Sequence, residues 1–263
     1  MRKICISNIG AKNFTDSLID YSVNLGIKAF EIAPGNLAKI STDFPSSLPE
    51  ISRKIRSYKD QYDIKIIAMQ GIWYGLSDNI FGTSKEREKL LERTQIAMEL
   101  AVDINCNKIV LGGPKNRIMA SLDDFPLAIN FFELLSLLCE KYQIHLCIEP
   151  NSQYYSCNFL TNNIRATEFV TDICSPLIGI NIDTNNMQLE KEELISNKTM
   201  ELTKHIHISP EYLKNYKWLD RYNDVIQVME NNKYKGYVSL ECFFDNENGM
   251  YHEIKNFYKD FQC

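Results

Sequence analysis

Between His145 and Glu241, four short apolar segments each end on a potential metal ligand: His145-Leu146-Cys147-Ile148-Glu149, Gly179-Ile180-Asn181-Ile182-Asp183, His205-Ile206-His207 and Val238-Ser239-Leu240-Glu241. Side chains alternate faces along a strand. Leu146 and Ile148, Ile180 and Ile182, Ile206 and Ile208, and Val238 and Leu240 therefore point one way, while the polar terminal residues point the other. Several carboxylates converging on one centre without a counter-charge repel one another and push their pKa values up. A divalent cation resolves the conflict. The candidate ligands are Glu149, Asp183, His207 and Glu241; three oxygens and one nitrogen suit Mn²⁺, Co²⁺, Mg²⁺ or Zn²⁺, and ligand type alone selects none of them. His205 sits one pleat deeper than His207 and reads as a core histidine. Asp183, ahead of Thr184-Asn185-Asn186, is also suited to cap a helix.

The steps between these ligands are 34, 24 and 34 residues, each long enough for a strand and a crossover helix. The same alternation runs through the rest of the chain. Strands are expected at Lys3–Ser7, Ala29–Ala33, Ile64–Gln70 and Lys108–Leu111, and from Leu146 onward at the four segments above. Helices are expected over about Asp16–Leu25, Pro49–Tyr62, Lys85–Ile104 and Phe125–Tyr142, the first stopped by Gly26. Strict β-α alternation implies a parallel sheet, and eight such units close naturally into a (β/α)8 TIM barrel. A doubly wound open sheet is the alternative, but it gives no reason for four consecutive strands to end in polar residues facing one centre. With no linker or composition shift, residues 1–263 are read as one barrel domain. Active residues in such a barrel sit at the C-terminal ends of the strands, where the four ligands fall.

A net charge of −5 offers no electrostatic reason to bind nucleic acid. No stretch approaches the roughly 20 apolar residues of a membrane helix. Met1-Arg2-Lys3 before Ile4–Ser7 is superficially like a signal start, yet the apolar run stops at Asn8 and the segment reads as a first strand. The eight cysteines form no C-x-x-C pair and are scattered through apolar segments, as buried reduced thiols are. A cytoplasmic protein, with a homodimer as the default assembly, is the expectation.

From Phe30-Glu31-Ile32-Ala33-Pro34 to Ser239-Leu240-Glu241 the chain resembles the xylose-isomerase-like barrel superfamily, in its sugar phosphate isomerase/epimerase branch. The specific part of the likeness is the ordered set Ile148-Glu149-Pro150-Asn151, Ile182-Asp183-Thr184, His205-Ile206-His207-Ile208-Ser209 and Leu240-Glu241. Gly112-Gly113-Pro114-Lys115-Asn116-Arg117 and Cys157-Asn158-Phe159-Leu160-Thr161-Asn162 are similar to stretches in less characterised members of that branch. The resemblance implies that Glu149, Asp183, His207 and Glu241 bind one divalent metal and that Glu149 and Glu241 are the proton-transfer pair. The metal would stabilise an enediolate formed when an α-proton leaves a sugar or sugar phosphate. Proton return to the same carbon gives epimerisation; return to its neighbour gives aldose–ketose isomerisation.

Two positions depart from the ketose epimerases and hydroxypyruvate isomerases. Asn186 stands where they carry histidine, and Leu213 where they carry arginine, and both changes touch substrate contacts more than the metal. Lys115 and Arg117 are candidates for a cationic contact to a phosphate or carboxylate. Trp73 and Tyr74 are candidate sugar-stacking walls. The competing functions are a metal-dependent lyase or dehydratase of the inosose type, an apurinic-site endonuclease and a degenerate, non-enzymatic barrel.

Overall fold

The computed structural model describes residues 2–38 and 41–262, with the backbone alone for residues 41–43. Met1 and Cys263 lie outside the described residues. Eight parallel strands pair in chain order: β1 (Lys3–Ser7), β2 (Ala29–Ile32), β3 (Lys65–Met69), β4 (Lys108–Leu111), β5 (His145–Ile148), β6 (Ile178–Asp183), β7 (Thr203–Ile208) and β8 (Tyr237–Leu240). The cylinder closes where β8 pairs with β1, from Lys3 opposite Tyr237 to Ile6 opposite Leu240. The expected (β/α)8 barrel is the observed fold.

Helices α1 (Thr15–Asn24), α2 (Leu48–Tyr62), α3 (Ser84–Asp103), α4 (Phe125–Tyr142) and α5 (Asn163–Ile173) connect the first six strands. After α1 the chain turns at Gly26 with φ +92°, a conformation that glycine adopts without a Cβ penalty. Helix α3 starts on a reciprocal cap in which Thr83 and Glu86 bond each other's backbone N–H. The step from β6 to β7 is the short one, and it holds two six-residue helices, α6 (Thr184–Leu189) and α7 (Asn197–Leu202). Helices α8 (Asp220–Asn231) and α9 (Glu247–Phe261) complete the ring.

The alternation along the strands sorts the core. Leu146, Ile148, Ile180, Ile182, Ile206, Ile208, Val238 and Leu240 all lie in the large apolar cluster that also contains Phe131, Phe132 and Phe169 from the surrounding helices. Inside the barrel lie two smaller apolar clusters, Cys5 with Ala29 and Ile67, and Ala68 with Val110 and Cys147. Polar side chains take the rest of the interior. Leu146 is fully buried, and Leu146→Ala is expected to lower unfolding stability by about 2–5 kcal/mol in urea titration, through lost transfer energy and the cavity left behind. Of the described cysteines, Cys174 is exposed and the other six are buried and free. Burial pushes the Cys5, Cys106, Cys139 and Cys147 thiols up to about 12, which leaves them protonated and unreactive. Among the described residues no helix is long and apolar enough to cross a membrane.

Candidate active site and metal centre

Strand register sets the site. Asp183 pairs with His207 across β6 and β7, and His207 pairs with Ser239 across β7 and β8. Glu149 and Glu241 stand one residue beyond β5 and β8, where their backbone N–H groups donate to Leu111 and Ile208 and continue the ladders. All four expected ligands thus meet at the C-terminal mouth, and all four are buried.

His207 is the centre of the arrangement. Its Nδ1 lies 3.2 Å from an oxygen of Glu149 and 3.2 Å from an oxygen of Glu241, yet it completes no hydrogen bond to either. Its Nε2 lies 3.1 Å from Glu31 Oε1. Glu31 in turn accepts from Ser239 Oγ at 2.8 Å and meets His205 Nε2 at 3.3 Å. Two sets of side chains therefore hold ligand atoms close enough to share a cation: Glu149, His207 and Glu241 at the mouth, and Glu31, His205 and His207 beneath it.

The electrostatics follow from this crowding. Burial alone would push the His207 imidazole down, but the charges of Glu31 and Glu241, with Glu149 beside them, hold it well above 6.5. Burial pushes Glu31 up, and His207 and His205 outweigh it and hold the carboxyl well below the usual range. Burial, then Glu149 and Glu241, push Asp183 up to about 8. A proton at His207 and another at Asp183 thus occupy the place of a counter-charge that the four ligands lack. A buried imidazole nitrogen aimed between two carboxylate oxygens, and completing a hydrogen bond to neither, is what a divalent-metal ligand set leaves when only protons are present, so these residues fit such an ion.

Each carboxylate is held differently. Glu149 accepts from Asn151 Nδ2 at 3.0 Å and from Asn181 Nδ2 at 2.8 Å. Asp183 caps α6 by accepting from the Asn186 N–H at 2.6 Å, so its capping and ligand readings coexist in one side chain. Its other oxygen is joined to Glu241 through Ser209 Oγ, 2.5 Å from Asp183 and 3.2 Å from Glu241. Asp183 is therefore beside the triad of closest ligand atoms rather than inside it.

A cavity of about 930 Å³ opens above Glu149, Asp183 and Glu241. Of the expected substrate contacts, Trp73, Tyr74, Lys115 and Asn186 line it. Trp73 is buried, with its indole N–H on Thr94 Oγ1 at 2.9 Å, so it forms a fixed wall. Asn186 is held at both ends, its N–H on Asp183 and its Oδ1 accepting from the Ser152 N–H at 3.1 Å. Lys115 is exposed and makes no hydrogen bond or ion pair among the described residues.

Arg117 lies elsewhere. Its side chain is fully buried behind the wall, and Nη2 donates to the Glu149 carbonyl at 2.8 Å and to Asn151 Oδ1 at 2.5 Å. It braces the end of β5. Arg117→Met is expected to cost about 1–3 kcal/mol for the acceptors left unpaired, read by denaturant titration, and to loosen Glu149 through Asn151.

Glu31, Asn181, Asn151 and Ser209 are site residues that the motif reading did not single out. For Glu31 the signal was present in the alternation of Phe30-Glu31-Ile32, which turns the carboxylate into the barrel. Nothing local to that strand reveals its partners, which lie more than 170 residues away.

The sequence profile of the xylose isomerase-like TIM barrel family matches residues 19–261. No curated protein matches the chain in sequence. Among solved structures, 3-keto-D-glucoside 4-epimerase from E. coli in its apo form superposes with a TM-score of 0.76 at 16% identity, covering 99% of this chain and 100% of that one. A D-allulose 3-epimerase from Methylomonas sp., in complex with D-allulose, gives 0.75 at 12% identity over 98% and 96%. A family 2 AP endonuclease from Brucella melitensis gives 0.74 at 15% identity over the full length of both chains. At these identities the likenesses concern the fold. The profile match, running from α1 to the end of α9, shows that the chain belongs to the xylose isomerase-like TIM barrel family.

Proposed function

We propose that the protein is a divalent-metal-dependent isomerase or epimerase of a sugar, a sugar phosphate or a related polyol or keto compound. The observation that carries this reading is the buried Nδ1 of His207, 3.2 Å from oxygens of both Glu149 and Glu241 without completing a hydrogen bond to either. A divalent ion held by Glu149, His207 and Glu241, with Asp183 beside them, would supply positive charge against the charge that develops as an α-proton leaves. Glu149 and Glu241 reach the mouth from two strands and both line the cavity, so a substrate carbon held above them has a carboxylate on each side. One takes the α-proton and the other returns it. Return to the same carbon epimerises, and return to the adjacent carbon isomerises.

Keto sugars named for the E. coli and Methylomonas structures support a substrate with a carbonyl next to a hydroxyl-bearing carbon. Asn186, fastened to Asp183 and Ser152, gives this pocket a neutral amide where ketose epimerases carry histidine. Arg117 is engaged with Glu149 and Asn151, so Lys115 is the cation of the two that faces the cavity. Lys115→Ala is expected to raise KM about tenfold or more for a phosphorylated substrate and to leave its unphosphorylated counterpart unchanged, as loss of a charge-assisted contact requires.

The test is removal of metal by chelator followed by add-back of Mn²⁺, Co²⁺, Mg²⁺ or Zn²⁺, with proton–deuterium exchange at the substrate α-carbon as readout. Metal-dependent exchange is expected on at least one member of a panel of ketoses and their phosphates. Silence across the panel with metal bound would sink the reading, and water loss or carbon–carbon cleavage would reassign the site to a lyase or dehydratase.

A further inference from the structure

Below the ligands, Glu31 forms a polar knot inside the barrel with no access to the cavity. Glu31, His205, His207 and Ser239 are each fully buried, and they come from β2, β7 and β8. One Glu31 oxygen accepts from Ser239 Oγ at 2.8 Å and faces His205 Nε2 at 3.3 Å; the other lies 3.1 Å from His207 Nε2. A neutral imidazole carries one proton, and a carboxylate accepts only. In the neutral form that a metal ligand takes, the nitrogen facing Glu31 must therefore be the protonated one, which leaves the lone pair on Nδ1. That lone pair points at the gap between Glu149 and Glu241.

We infer that Glu31 is a positioning residue that fixes the ring orientation and the Nε2–H tautomer of His207, so that Nδ1 is presented to a cation between Glu149 and Glu241, and that Glu31 is not itself a ligand. The inference rests on the metal reading above. Glu31, His205 and His207 are close enough to hold an ion of their own, but Glu31 already accepts from the Ser239 hydroxyl and faces both imidazoles. A carboxylate on the far nitrogen of a metal-bound histidine raises the basicity of the ligand and locks its rotation, and loss of such a partner typically weakens metal binding 10–100-fold. Ser239 acts one step further out by holding the Glu31 carboxylate.

The test is Mn²⁺ titration of the full chain, by calorimetry and by electron paramagnetic resonance, for the wild type, Glu31→Gln and Glu31→Met, with thermal unfolding of each as a check of folding. One equivalent of Mn²⁺ is expected in every folded form, bound about 10-fold more weakly in Glu31→Gln, which keeps an acceptor but loses the charge, and about 100-fold more weakly in Glu31→Met. Ser239→Ala should lose less than Glu31→Gln. In the Zn²⁺-loaded wild type, ¹⁵N spectra should show His207 with a proton on Nε2 that is protected from exchange, and the protection should fall in Glu31→Gln. If Glu31→Met does not fold, Glu31→Gln and the wild-type spectrum decide. Wild-type affinity retained in Glu31→Gln, or a proton on Nδ1 in the Zn²⁺ form, overturns the positioning role alone. A second equivalent lost with Glu31 makes it a ligand and also overturns that role. No Mn²⁺ binding by the wild type overturns the metal reading, and the positioning role falls with it.

Discussion

Glu241→Gln is expected to keep the fold and to lower the rate of α-proton exchange by about 10²–10⁴-fold at saturating metal, the range that a positioned acid or base contributes. The amide occupies the same volume but takes no proton. Glu241 accepts one side-chain hydrogen bond, from Ser209 Oγ at 3.2 Å, and the carbonyl of glutamine can keep it. Glu149→Gln should behave differently. Its two oxygens accept from two amide groups, those of Asn151 and Asn181. A glutamine NH₂ would therefore confront an asparagine NH₂ in a buried site. The expected result is an activity loss of the same order together with a stability loss of about 1–3 kcal/mol. Exchange kinetics at saturating Mn²⁺ separate the chemical step from metal affinity, and urea titration of both variants reads the asymmetry. Equal stability losses would mean that the Asn151 and Asn181 contacts to Glu149 carry no weight.

The metal-free protein is expected to become less stable as pH rises from about 6 to 9, and saturating metal is expected to flatten that decline. Asp183 is pushed up to about 8 by burial, Glu149 and Glu241, against 3.8 in the unfolded chain. The folded protein thus holds a proton there that the unfolded chain has released. The associated stability is fully present below 3.8 and is lost as pH rises through about 8. His207, held well above 6.5 chiefly by Glu31 and Glu241, acts in the same sense, with its stability present below 6.5 and lost at higher pH. Glu31, held down by His207 and His205, acts in the opposite sense, but its window lies below 4.5. Each proton retained only by the folded form changes stability by about 1.4 kcal/mol per pH unit, and about 2–4 °C of Tm accompanies each kcal/mol in a domain of this size class. A fall of several degrees in the apo protein is the expected outcome. Mn²⁺ at about 100 times its Kd should add roughly 2.7 kcal/mol and take over the counter-charge supplied by the protons. Scanning calorimetry across pH with and without Mn²⁺ reads both effects, and an apo Tm that climbs from pH 6 to 9 would contradict the assignment of protons to His207 and Asp183.

The barrel was legible in the sequence because a parallel strand buried on its outer face must keep strict alternation. Leu146 and Ile148, or Ile206 and Ile208, announce by position alone which way Glu149 and His207 turn. Helix limits followed from local chemistry, such as Gly26 after α1, and α4 lies over the expected span. The knot around Glu31 was not legible. Its strand looks like any half-polar strand, and its meaning comes only from closure of the cylinder, which brings β2 to face β7 and β8. Arg117 was misplaced for a related reason. The Gly113 turn at φ +83° and the short helical turn after it carry Lys115 outward and Arg117 inward, and composition cannot separate two cations that lie two residues apart. Asp183 was ambiguous between cap and ligand because it stands where both demands fall on one carboxylate.

The buried Arg117 also bears on how such a pocket can be altered. It ties the loop after β4, which carries Lys115, to the backbone and amide that set Glu149. In the proposed reading, specificity and chemistry are therefore not separable modules at this corner of the barrel. Replacing residues 112–117 by a relative's loop that lacks the arginine would change the cavity wall at Lys115 and, in the proposed reading, unseat the base Glu149 at the same time. The smallest transplantable unit runs through Arg117 and includes Asn151 on the neighbouring strand end, so new specificities are more readily reached by point changes at Tyr74, Lys115 or Leu213 on the cavity wall than by swapping this loop whole.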